Sequence, residues 1–154
     1  MQKISINFLV FLLFFLFSKT EIFANESTSF LSLKNSEVNL RQGPSFEYPI
    51  KLVYKKKYLP VEVLDKSETW RKIKDFQNNS GWIHVSQLSK KKSAINIKEY
   101  SVLYKKPTIY SKPVVKLEIG RLVLIKKCQS KLCKVSSGNF KGWIFRNYLW
   151  GKIQ

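Results

Sequence analysis

Most of this chain is written twice. Gly81-Trp82-Ile83 returns as Gly142-Trp143-Ile144 at an offset of 61. Val61, Val63 and Ile73 align with Val123, Ile125 and Val135 at 62. Leu40 and Pro44 align with Leu103 and Pro107 at 63, and Pro49-Ile50 with Pro113-Val114 at 64. An offset that drifts only between matched segments is the mark of a duplicated fold with insertions in its turns. Whatever the unit is, it must fold within roughly 60 residues, a length that buries only about 60% of its unfolded surface. Packing against its twin, or a cross-link, would help such a unit.

The pattern inside each unit is that of short strands. Val61-Glu62-Val63 and Lys72-Ile73-Lys74 alternate in the period-2 manner of half-buried antiparallel strands. Turn chemistry separates them at Gln42-Gly43-Pro44-Ser45, Asp65-Lys66-Ser67-Glu68, Asn78-Asn79-Ser80-Gly81 and Ser136-Ser137-Gly138-Asn139. After residue 24 no window shows sustained helical periodicity. The expected class is all-β: two tandem small β-barrels over 30–89 and 94–151, with the boundary at Lys90 to Lys92. Ala94-Ile95-Asn96-Ile97 alternates like a strand and aligns with Phe30-Leu31-Ser32-Leu33.

Residues 1–24 read differently. Lys3 precedes an uninterrupted apolar run from Phe8 to Phe17, and Ala24 supplies a small residue before Asn25. That three-part layout is the one expected of a secretory signal peptide, and the apolar stretch is short of the roughly 20 residues that span a bilayer. An uncleaved anchor is the alternative, since Ile22 is large for its place before the cleavage site. Export to the periplasm or cell envelope permits disulfides. Cys128 and Cys133, four residues apart, suit a bridge closing a hairpin.

Composition narrows the function. The chain carries 28 Lys and Arg against 10 Asp and Glu, a net +18, and only four of the cations are Arg. A sequence-specific nucleic-acid reader would draw more on the planar Arg fork, and export removes intracellular nucleic acid from the partners. The basic surface would instead attract anionic envelope polymers or lipids by a salt-dependent route. One His and two Cys leave little from which to build a catalytic centre. A zinc site would need both Cys, His84 and a carboxylate at spacings that match no common pattern. His84 has no Cys in its own unit to activate and reads as a surface residue. The expectation is a non-enzyme with no catalytic residues, no metal and no cofactor.

Aromatic residues are the better lead. Trp70 has the parity of Lys72 and Lys74, opposite to Ile73. It therefore either lies at the surface, forming with Tyr48, Tyr54 and Tyr58 a shelf for an extended peptide, or caps the open end of the barrel. Asn39 and Arg41, absent from the second unit, either bind ligand or brace a loop. Trp82 and Trp143 read as structural. Trp150 packs the chain end or a unit–unit interface.

The first unit resembles the bacterial SH3-like (SH3b) family. The resemblance is carried by Val38-Asn39-Leu40-Arg41-Gln42-Gly43-Pro44 with Tyr48-Pro49, Leu59-Pro60-Val61-Glu62-Val63, Trp70-Arg71-Lys72-Ile73 and Gly81-Trp82-Ile83-His84, covering residues 33–89. The second unit keeps Pro107, Pro113-Val114, Gly120 and Gly142-Trp143-Ile144, but has Val102, Tyr104 and Lys106 where the first has Asn39, Arg41 and Gly43. The resemblance extends to small exported proteobacterial proteins with two such units. It implies binding of cell-wall components, the peptide part of peptidoglycan foremost, through a shallow groove of the first unit. A periplasmic protein bound by an adaptor, or electrostatic attachment to the envelope, are the alternatives. Where the family pattern has Gly the first unit has Tyr58, so the turn is either strained there or rebuilt by a two-residue insertion.

Overall fold

The computed structural model of the protein describes residues 29–153, so the expected signal segment, 1–24, lies outside the described residues. Strands β1 (Ser29–Leu33), β2 (Val38–Arg41), β3 (Ile50–Tyr54), β4 (Pro60–Ser67), β5 (Trp70–Lys74), β6 (Ser80–His84) and β7 (Leu88–Ser89) form one antiparallel sheet. Strands β8 (Ser93–Asn96), β9 (Ser101–Tyr104), β10 (Pro113–Leu117), β11 (Leu122–Gln129), β12 (Leu132–Ser137), β13 (Phe140–Phe145) and β14 (Leu149–Gly151) form the other. The orders are β3-β2-β6-β5-β4-β1-β7 and β10-β9-β13-β12-β11-β8-β14, the same path traced twice. The all-β expectation holds. Helical geometry among the described residues is confined to single 3-10 turns at Val85–Gln87 and Arg146–Tyr148.

Alternation decides which side chains fill each core. In β2, Val38 and Leu40 are buried while Asn39 and Arg41 are half-exposed. Leu33, Val61, Ile73 and Ile83 complete a fully buried set in the first unit. Leu103, Val123, Cys133, Val135 and Ile144 do so in the second. Cys133 sits directly opposite Cys128 on the β11–β12 hairpin, and the expected disulfide joins them across a Cα separation of 4.0 Å.

The repeated glycine has a steric cause. A Cβ on Gly81 would lie 2.6 Å from the Arg41 carbonyl oxygen and 2.8 Å from Leu40 Cγ. A Cβ on Gly142 would lie 2.9 Å from both Leu103 Cβ and the Tyr104 oxygen. Only a residue without a side chain lets β6 and β13 approach their neighbours this closely.

Strand pairing corrects the sequence alignment in two places. Ile50 lies opposite Arg41 and Pro113 opposite Tyr104, so β3 and β10 correspond at an offset of 63, not 64. Both pairs carry a register irregularity there, which hides the true correspondence. The loop before Tyr58 is then one residue longer than its counterpart, not two. It is also not rebuilt: Tyr58 and Gly120 both have positive φ, 63° and 77°. Their amides donate equivalently, to the Leu33 and Asn96 carbonyls. Tyr58 thus takes the strained alternative.

The second correction concerns β8. Leu31 faces Val61 and Ala94 faces Val123, so Leu31-Ser32-Leu33 corresponds to Ala94-Ile95-Asn96, again at 63. One residue of slip moves every side chain to the other face. Ala94 therefore belongs to the second core, and Ile95 points away from it into the core of the first unit. Leu122 and Trp150, directly opposite Ile95 on β11 and β14, extend this into one apolar row. Leu122 packs on the first core, and the Trp150 ring meets Phe30 edge-on at 5.0 Å and Phe76 at 6.5 Å. Of the two sequence readings of Trp150, the structure has the unit–unit contact.

Ile95→Ala is expected to cost about 2–5 kcal/mol, the usual range for truncating a fully buried aliphatic. Hydrogen exchange should report the loss at first-unit amides such as Val61 and Ile73, although Ile95 belongs to the second sheet. Gly81→Ala is expected to cost about 1–3 kcal/mol by overpacking, read as a lower urea midpoint.

Candidate binding face

Because Leu40, Ile83 and Ile73 turn inward, strands β2, β6 and β5 present the alternate residues on the outer face of the first unit. Arg41 lies directly opposite Trp82, and Trp82 opposite Lys72. In the next row His84 lies opposite Trp70. The β2–β3 loop folds over this second row. The Phe46 ring meets Trp70 edge-on at 4.9 Å and tilts against His84 at 5.3 Å, while Trp70 and His84 are themselves 5.3 Å apart. Arg41 holds the loop in place: its guanidinium donates to the Tyr48 carbonyl at 2.7 Å and stands 5.7 Å from the Phe46 ring centre. The Tyr48 ring lies flat on Gly43, where a Cβ would come within 2.6 Å of it. Phe46 itself is 63% exposed.

Residues 34–90 match the family described as the bacterial SH3 domain. The first unit is a bacterial SH3 domain. The sequence matches no curated protein. Three solved structures resemble the chain in part: NlpC2 and NlpC1 from Trichomonas vaginalis, each 13% identical with a TM-score of 0.38, and an NlpC/P60 family protein from Bacillus cereus ATCC 10987, 14% identical with a TM-score of 0.35. They cover 82%, 84% and 79% of this chain and are themselves covered over 49%, 48% and 56%. The chain spans about half the length of these proteins.

The SH3 domain places the residues picked out in the sequence unequally. Trp70 is on the outer face, as its parity requires, yet it is only 7% exposed because Phe46 and His84 cover it. It is the floor of a cluster, neither an open shelf nor a cap on the barrel end. Tyr48 is exposed beside that cluster on the braced loop. Asn39 shares the outer face one row from Arg41, opposite Val53. Arg41 braces the loop, and its remaining N–H groups have no acceptor among the described residues.

Tyr54 does not join the shelf. It is buried, and its hydroxyl donates to Asp75 Oδ2 at 3.0 Å. Tyr58 is also elsewhere, its amide bonded to Leu33 and its ring 5.1 Å from the Lys57 ammonium. Three residues important here carried no strong sequence signal. Phe46 follows a Gly-Pro turn in a loop, where no strand period fixes its direction. His84 has the parity of Trp82 and so could have been placed on the outer face. Asp75 stands just before the Asn-Asn-Ser turn, the position from which an Asp side chain caps a turn.

Asp75 is the most completely bonded side chain in the SH3 domain. Oδ1 accepts from the Gln77 and Asn79 amides at 2.9 Å, and Oδ2 accepts from Tyr54 and from Asn79 Nδ2. Burial first, and then the charge and hydrogen bond of Asp75, push the Tyr54 hydroxyl well above its ordinary value of 10.0. Tyr54 therefore stays protonated and donates to Asp75 at neutral pH.

The second unit lacks this face. Tyr104, Leu132 and Phe145 hold the positions of Arg41, Trp70 and His84, paired in the same way around Trp143 and its neighbours. Trp143 is 6% exposed, with the Lys127 ammonium 5.7 Å from its ring.

Tyr54→Phe leaves Asp75 one donor short and is expected to cost about 1–3 kcal/mol at neutral pH. The sign with pH follows from a folded-state pKa raised above the unfolded one. The contribution is fully present below pH 10.0 and is lost as pH rises beyond it. Urea melts of wild type and variant should therefore converge above that pH.

Proposed function

We propose that this is an exported, non-enzymatic protein that binds cell-wall components, the peptide part of peptidoglycan, on the outer face of its SH3 domain. The observation that carries this reading is Phe46, 63% exposed, held over Trp70 and His84 by a loop that Arg41 braces. An aromatic anchor with an Arg beside it is the composition of binding hot spots, and aromatic surfaces of this kind dock extended peptides. A pre-braced loop loses little entropy on binding.

A binding role also accords with the surroundings of His84. Its Nδ1 lies 2.8 Å from Ser86 Oγ within the cap of a 3-10 turn, and among the described residues no carboxylate bonds the ring. That is a local capping arrangement without the orienting acid a hydrolytic triad uses. The export assignment rests on residues 1–24, and the basic surface would speed encounter with an anionic wall.

Pull-down on purified peptidoglycan at low and at high salt tests the reading. Binding should survive high salt and weaken about tenfold in Phe46→Ala, a truncation at an exposed position that leaves the core intact. Binding that disappears with salt and ignores Phe46 would reduce the interaction to lysine electrostatics. Absence of binding at both salt levels would favour a protein partner.

A further inference from the structure

We infer that the ligand of this face bears a carboxylate, held between Arg41 and Lys72 across the ring of Trp82; the inference rests on the binding face proposed above. Trp82 has Arg41 as its direct neighbour on β2 and Lys72 as its direct neighbour on β5. All three point outward, so the half-buried indole forms a floor with a cation at each side. Two strand spacings separate the cations, roughly 10 Å between backbones, a gap that two long side chains can close on one anion.

Neither cation has an ion-pair partner among the described residues. The ion pairs among the described residues are Lys55 with Glu37 and Lys74 with Glu62. Asp65, the next residue in the row, lies opposite Lys72 but accepts from the Lys66 amide at 2.7 Å and forms no ion pair. Arg41 commits one nitrogen to the Tyr48 carbonyl, which fixes the guanidinium beside Phe46 and leaves its other N–H groups without an acceptor among the described residues. A planar fork held in this way matches the two oxygens of a carboxylate. The indole and Phe46 serve the apolar and peptide parts of the same ligand. The second unit has Tyr104 in place of Arg41 and Lys127 over its tryptophan, so the frame belongs to the SH3 domain alone.

The test compares binding of the full-length protein to native peptidoglycan and to peptidoglycan whose carboxylates have been amidated with carbodiimide and ammonia, both at high salt. Amidation should lower affinity about tenfold, and so should Lys72→Gln on native material, an exposed change that leaves the Arg41 brace untouched. Lys141→Gln, an equal loss of charge on the second unit, should bind as wild type does. Equal binding to native and amidated walls would overturn the carboxylate while leaving wall binding intact. Equal weakening by Lys72→Gln and Lys141→Gln would assign the effect to net charge and overturn it too. No binding to native material would remove both this inference and the reading it rests on.

Discussion

Strand β8 has no solvent side. Its four residues are all buried, Ala94 into the core of the second unit and Ile95 into that of the first. A unit of roughly 60 residues buries only about 60% of the surface its unfolded chain exposes. Here one strand contributes to two interiors, and Leu122 and Trp150 on either side of Ile95 widen the shared contact. Gly151 belongs to the same seam. Its φ of 138° and the nearness of the Ser93 oxygen, Ala94 Cα and Pro60 leave no room for a side chain. This junction uses β1, β4, β8, β11 and β14, while the candidate binding face is built on β2, β6 and β5. The inward residues of β2, β5 and β6 still fill the first core, but the shared seam itself lies on other strands.

The two units keep a common scaffold but fasten it differently. Both rely on a glycine at the tight approach of β6 to β2 and of β13 to β9. The SH3 domain ties β3 to the β5–β6 turn through Tyr54 and Asp75. The second unit has Leu117 and Ser137 at those positions, and Ser137 donates to the Leu122 carbonyl instead. It adds a disulfide between adjacent strands, which restrains a hairpin tip closed over a separation of only 5 residues. One unit therefore carries an exposed aromatic cluster braced by hydrogen bonds. The other carries its tryptophan beneath a lysine and lends Ile95 and Leu122 to the core of the first.

The candidate site was partly legible in the chain. Parity set Trp70 opposite Ile73 but left it either at the surface or capping the barrel end, and the contrast between units drew attention to Asn39 and Arg41. Neither could say that Phe46 lies over Trp70, because a loop residue has no period from which its direction can be read. Tyr54 was misread for a related reason. Its neighbours Ile50 and Leu52 on β3 are exposed, and what draws the strand's last residue inward is Asp75, 21 residues away.

The sequence by itself determined the class, the duplication and the hairpin disulfide. The class and the disulfide are set by local alternation, turn chemistry or residues a few positions apart, and the duplication by segments that match at offsets of 61 to 64. Only the tertiary structure decided which interior Ile95 fills, what covers Trp70 and where Trp150 packs. The physical reason is register. A shift of one residue in β8 preserves the apolar pattern yet reverses every side chain, and only the pairing of Ala94 with Val123 settles which face is which.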